Sequence, residues 1–233
     1  MKLWHILCVL TVVFVAALCS GQSGKPSESA NSSSSRSKKT VKTPAVEGGL
    51  DAGSVANGVY RNKSLSLICK IPAGWVLRTE EMNVREDSEG TAEKKPATDT
   101  SSGQAGESKS GRVLLAAFSR PPEAKGEDVN GSILIAAEPI SAYPGLTEAV
   151  QYLGPLGEVA KAQGFIEDED PYEMAIGTKT VVRADFHKNV GSRVMRQSTL
   201  VFLAKEHAVS ITVIGGTEDE VEELVDGVEF AGK

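Results

Sequence analysis

The sequence predicts an α+β domain, a mostly antiparallel sheet flanked by helices. Three observations predict it. After residue 60, apolar residues either alternate with polar ones or run continuously over five or six positions. Both patterns belong to strands, whose side chains repeat every two residues. The spacing lengthens to three and four only twice, over Leu146–Ala160 and Val221–Val225. Those two stretches are helices, one long and mid-chain, one short and near the end. No segment recurs at a fixed period, so the chain is not a repeat protein.

The chain opens with Lys2, then an almost wholly apolar stretch from Leu3 to Leu18, then Ser20, Gly21, Gln22 and Ser23. A positive start, an apolar run and small residues predict a secretory signal peptide over residues 1–21. The run is a little shorter than the ~20 residues of a membrane span. An uncleaved N-terminal anchor, or a lipoprotein acylated at Cys19, stays open as an alternative. Leu18 argues against lipidation, because that signal wants a small residue before its cysteine. Residues 22–57 are rich in Ser, Gly and Lys. They offer too little apolar surface to offset the entropy of ordering, so they are expected to be a disordered tether.

The domain is expected over residues 58–233. Leu65, Leu67 and Cys69 alternate with Ser64, Ser66 and Lys70 in a half-buried strand, and Pro72-Ala73-Gly74 turns the chain before Trp75. Residues 80–111 are acidic and carry only Met82 and Val84 as large apolar residues before Val113. They are expected to form a disordered surface insertion. Val113–Phe118 and Ile133–Ala137 are continuous apolar strands, central in the sheet. Pro155 inside the mid-chain helix predicts a kink or a second helix starting there. Val181–Phe186, Arg193–Ala204 and Val209–Val213 read as an antiparallel meander. Thr217 and Glu220 form a capping box for the last helix, Gly227 ends it, and Val228 to Phe230 closes the chain as a short strand.

Charge and cysteines bound the function. The formal net charge is −6; residues 22–48 carry five bases and two acids, and −10 remains on the chain beyond them. An acidic domain is a poor match for nucleic acid. Three cysteines exist, at 8, 19 and 69, and signal cleavage leaves only Cys69. Its place in an apolar alternation predicts a buried, inert thiol.

No catalytic constellation emerges. There is no Gly-x-Ser-x-Gly elbow, and Gly215-Gly216 before the last helix lacks the lysine of a phosphate loop. Glu167-Asp168-Glu169-Asp170 lacks the alternating ligands and the glycine of a calcium loop and is expected to be solvated. Tyr60 and Trp75 are expected in the core, with a ligand cleft lined by them as the alternative. His187 and His207 could lie near one sheet edge with Asp185 and so bind Zn²⁺ or a similar metal, although their spacing is not a metal motif.

Two stretches resemble PsbP-like domains. The first is Tyr60-x-Asn62-x-x-Leu65-x-Leu67-x-x-x-Ile71-Pro72-x-Gly74-Trp75. The second is the tail, with a strand after Gly177, a long strand pair, a capped helix and a final Val-Glu-Phe. That group includes the extrinsic photosystem II protein, a Ran-binding nuclear transport factor and bacterial exported proteins of unknown role. The resemblance implies an α/β/α sandwich that acts through its surfaces. The expectation is an exported cell-envelope binding or assembly-accessory module, with no catalytic residues, no metal ligands and no cofactor. Its partner would be an envelope protein, not nucleic acid. It would meet the membrane only through its N-terminal segment or a lipid anchor. The alternative is a small-ligand or metal-ion binding protein of the envelope.

Overall fold

The computed structural model describes residues 50–90, 111–126 and 128–231. The signal peptide of 1–21, the tether up to residue 49 and residues 91–110 of the insertion lie outside the described residues.

Two antiparallel sheets form. The small one has the order β1-β2-β3-β12, built from Ser54–Ala56, Val59–Asn62, Leu67–Lys70 and Val228–Phe230. The large one has the order β4-β5-β6-β11-β10-β9-β7. Its strands are β4 (Val76–Leu77), β5 (Arg112–Phe118), β6 (Ser132–Pro139), β7 (Ile166–Glu167), β9 (Lys179–Val190), β10 (Arg193–Ala204) and β11 (His207–Gly215). A further strand, β8 (Tyr172–Ile176), pairs with β9 beyond β7. The β9-β10-β11 meander forms as its alternation implies, with Thr199 opposite both Ala184 and Thr212.

The fold is α+β and mostly antiparallel, but it is not a plain sandwich of helices around one sheet. One face of the large sheet carries two helices, α1 (Thr79–Gly90) and α2 (Ala149–Ala162). Met82 of α1 packs with Val113, Ala116 and Phe118 of β5, and Tyr152, Leu153 and Leu156 of α2 pack with Val182, Phe186 and Val201. The opposite face is covered by the small sheet together with α3 (Glu218–Asp226). There Leu67, Cys69, Val228 and Phe230 join Val221 and Leu224 against Leu115, Ile135, Leu200 and Ile211.

Three expectations need correction. Order begins within the stretch read as tether, because Asn57 and Gly58, at φ 52° and 71°, turn β1 into β2. An Asn-Gly pair suits a hairpin turn that demands two positive φ values. Residues 80–90 are helix, not structureless insertion. That helix closes the sheet edge: the Asn83 amide donates to the Val113 carbonyl at 2.9 Å and accepts from the Val113 N–H at 3.0 Å, while Thr79 Oγ1 accepts from Ala116 N at 2.9 Å. Two side chains thus occupy backbone groups that would otherwise form an open strand edge. Finally, of the kink or second helix expected at Pro155, no second helix starts there: α2 runs from Ala149 to Ala162 with Pro155 inside it.

Candidate functional site

The residues that carry the family resemblance are structural. The Tyr60 hydroxyl donates to the Ala52 carbonyl at 3.0 Å. Asn62 Nδ2 donates to the Asp51 carbonyl at 2.5 Å, and its Oδ1 accepts from Leu65 N and the Ser64 hydroxyl, each at 2.9 Å. Gly53 sits at φ +75°, and a Cβ there would meet the Tyr60 ring at 2.6 Å. Together they fasten residues 51–53 onto the β2–β3 turn. Cys69 is fully buried, and burial pushes its thiol up to about 12, so it stays protonated and unreactive.

The proposed metal ligands are not brought together. His187 is paired with Arg196, which is paired with Gly215, whereas His207 lies eight residues from Gly215 at the other end of β11. At the rise of an antiparallel strand that is roughly 25 Å. His187 Nδ1 contacts the Asp168 carboxylate, and His207 Nδ1 lies 2.6 Å from the Lys205 carbonyl. Asp185 is engaged by Arg183 Nε at 2.9 Å and by the Tyr172 hydroxyl at 3.2 Å. Arg183 also holds Glu222 with both Nη atoms, tying α3 to β9. No group of three or more His, Cys, Asp and Glu among the described residues is placed to hold a metal.

What the topology does assemble lies on the helical face of the large sheet. There α1 lies over β5 and α2 over β9 and β10, and neither packs extensively on the central strands β6 and β11. Between the helices runs a strip whose floor is Leu134 and Ala136, both partly exposed, beside Ser210 and Thr212. Gln197 and Thr199 of β10 border it, because alternate residues of paired strands share a face. Gln197 Nε2 donates to Thr199 Oγ1 at 3.2 Å, and Thr199 Oγ1 is 3.3 Å from Thr212 Oγ1. Gln197 Oε1 is buried and has no hydrogen-bond partner among the described residues.

At one end of the strip stands Glu138, the last carboxylate of an otherwise apolar strand, 9% exposed. Tyr143 donates its hydroxyl to Glu138 Oε2 and meets Tyr152 edge-on, with ring centres 5.3 Å apart. The Tyr152 hydroxyl lies beside Glu138 and Ser210 but makes no hydrogen bond of normal geometry. Burial raises the Glu138 carboxyl above its ordinary range, only partly opposed by the tyrosine hydroxyls. Burial likewise raises Tyr143 and Tyr152, both further disfavoured as anions by Glu138. The cluster is a buried acid and two neutral phenols with no ion pair among the described residues, suited to hydrogen bonding with neutral polar groups.

No family model and no curated protein matches the chain. Several solved structures are partly similar. LpqN, involved in cell envelope biogenesis of Mycobacterium tuberculosis, aligns at 13% identity over 71% of this chain and 83% of its own, with a TM-score of 0.36. The Saccharomyces cerevisiae Ran-binding protein Mog1p aligns at 12% identity over 71% of this chain and 90% of its own, with a TM-score of 0.35. A Pseudomonas aeruginosa protein of unknown function, a putative regulator by its description, gives 17% over 51% and 76%, at 0.34. TM-scores this low assign neither fold nor function to the chain.

Glu138 has a measurable consequence. Its folded pKa lies above the unfolded value, so the stability that its neutral form supplies is fully present below the unfolded pKa and is lost as pH rises through the folded one. Glu138→Gln keeps an oxygen for Tyr143 and removes the titration. The variant is expected to melt higher than the wild type at pH 7, with the gap closing toward pH 4. Thermal unfolding across that range checks this, and a gap that widens on acidification contradicts it.

Sequence reasoning missed this site because it is spread over three strands and a helix. The one local sign was a lone carboxylate ending the apolar run Ser132–Pro139.

Proposed function

We propose that the chain is an exported cell-envelope module that binds, or helps to assemble, other envelope components without catalysis of its own. The observation that carries this reading is the strip between α1 and α2. It combines a partly exposed Leu134 and Ala136 with a hydrogen-bonding atom that the described residues leave unused, Gln197 Oε1. Buried polar groups are ordinarily paired, so an orphan beside the partly exposed Leu134 and Ala136 suits a partner that supplies the missing bond. A polypeptide segment brings both apolar and amide groups. Export draws its support from the N-terminal pattern of charge and apolar residues. No helix among the described residues is long and apolar enough to cross a membrane.

The full chain, immobilised and exposed to envelope fractions, is expected to retain a protein that residues 22–57 alone do not. Ala136→Arg, which fills the strip with a charge, is expected to lose it. Retention no greater than the tether control overturns the proposal; retention unchanged in Ala136→Arg removes the strip from it. A small-ligand carrier is the second reading, favoured by Glu138 and its two tyrosines, which could hold a neutral polar molecule.

A further inference from the structure

On the opposite face, a hollow of about 480 Å³ opens where the small sheet meets one end of the large one. Ser64 and Ser66 of the β2–β3 turn, Thr178 of the β8–β9 turn and Lys179 form its polar side, the Ser64 hydroxyl being engaged by Asn62 and Asp51. Leu65, Ala204 and Phe230 form its apolar side. The volume falls within the range of small-molecule sites, roughly 300–1,000 Å³.

Lys179 is held in place without being neutralised. Its Nζ donates to the Leu203 carbonyl at 3.3 Å and lies 5.2 Å from the centre of the Phe202 ring. One carbonyl and a ring face fix the ammonium while leaving donors of its three unspent. No carboxylate among the described residues is within ion-pair distance of it. The Ser66 and Thr178 side-chain hydroxyls also have no bonding partner among the described residues. The hollow therefore offers one cation, two unpartnered hydroxyls and a hydrocarbon wall.

Those features select a ligand class. The single positive charge matches a single negative one. A phosphate would leave a second charge unmatched and turn oxygens toward Leu65 and Phe230, an uncompensated desolvation. An uncharged apolar molecule would leave the ammonium unused. We infer that this hollow binds a small monocarboxylate with a short apolar stem, its carboxylate on Lys179 and its stem against Leu65 and Phe230. The site shares no residue with the strip between α1 and α2, so either reading can fail without the other.

The test follows backbone amide shifts of the full chain titrated separately with hexanoate, inorganic phosphate and hexanol. Hexanoate is expected to move the amides of Ser66, Thr178 and Lys179 saturably, and the other two to leave them in place. Lys179→Gln is expected to weaken hexanoate binding by about tenfold or more, the loss that accompanies a charge-assisted hydrogen bond. Because that change also removes a contact to Phe202, a second variant keeps the ammonium: Ala204→Leu fills the hollow and is expected to abolish saturation. The inference is overturned if hexanoate gives no saturable shift, if both variants bind it as the wild type does, or if phosphate or hexanol binds as well.

Discussion

Replacing Asn62 with leucine is expected to cost about 2–4 kcal/mol, the penalty of leaving the buried Leu65 N–H and the part-buried Asp51 carbonyl unpaired. Asn62 is 1% exposed and its amide meets both needs at once, donating to the Asp51 carbonyl and accepting from the Leu65 N–H. Leucine keeps the number of side-chain heavy atoms and the branch point but is bulkier, so some overpacking adds to the loss of the hydrogen bonds. For a domain of this size the expected fall in Tm is about 5–10 °C. Ser64→Ala is the control. It removes the hydroxyl that bonds Asn62 Oδ1 and Asp51 N, where water can substitute, and is expected to cost well under half as much. Equal shifts for the two variants would show that the Asn62 network carries no special weight.

Asn83→Ala is the second large effect, expected to cost about 1–3 kcal/mol. It strips both partners from Val113, at a sheet edge that the short strand β4 and Thr79 otherwise cover. An uncovered edge templates pairing between molecules. The variant is therefore expected to aggregate faster than the wild type on heating, as well as to unfold earlier. Light scattering alongside circular dichroism separates the two. Earlier unfolding without faster aggregation would mean that β4 and Thr79 protect the edge by themselves.

The two asparagines show what the sequence could and could not reveal. Period-two alternation exposed the β9-β10-β11 meander, and the Thr217 and Glu220 pair exposed α3. Thr217 Oγ1 does accept from Glu220 N at 3.1 Å, although Glu220 reaches back to Gly216 N, one residue beyond the N-cap that the usual capping box bonds. The Asn57-Gly58 pair is a hairpin-turn motif, but it stands at the end of a Ser-, Gly- and Lys-rich stretch whose composition reads as tether. Helix α1 was not visible at all. Its acidic, polar composition gives a weak local signal, and what holds it is Met82 in the core and Asn83 on a backbone thirty positions away. The strip had the same difficulty. Glu138, Gln197, Thr199, Ser210 and Thr212 look like scattered polar residues until strand register sets them on one face.

The fastening around residues 51–53 also decides how the domain would bear a pull from its N-terminal side. Ser54, where β1 begins, pairs with Arg61, next to Asn62 where β2 ends. Tension entering through residue 50 would thus act at the open mouth of this hairpin and peel its ladder one rung at a time, the weakest way to load antiparallel strands. The bonds from Tyr60 and Asn62 sit at that mouth and meet the load before the first rung does.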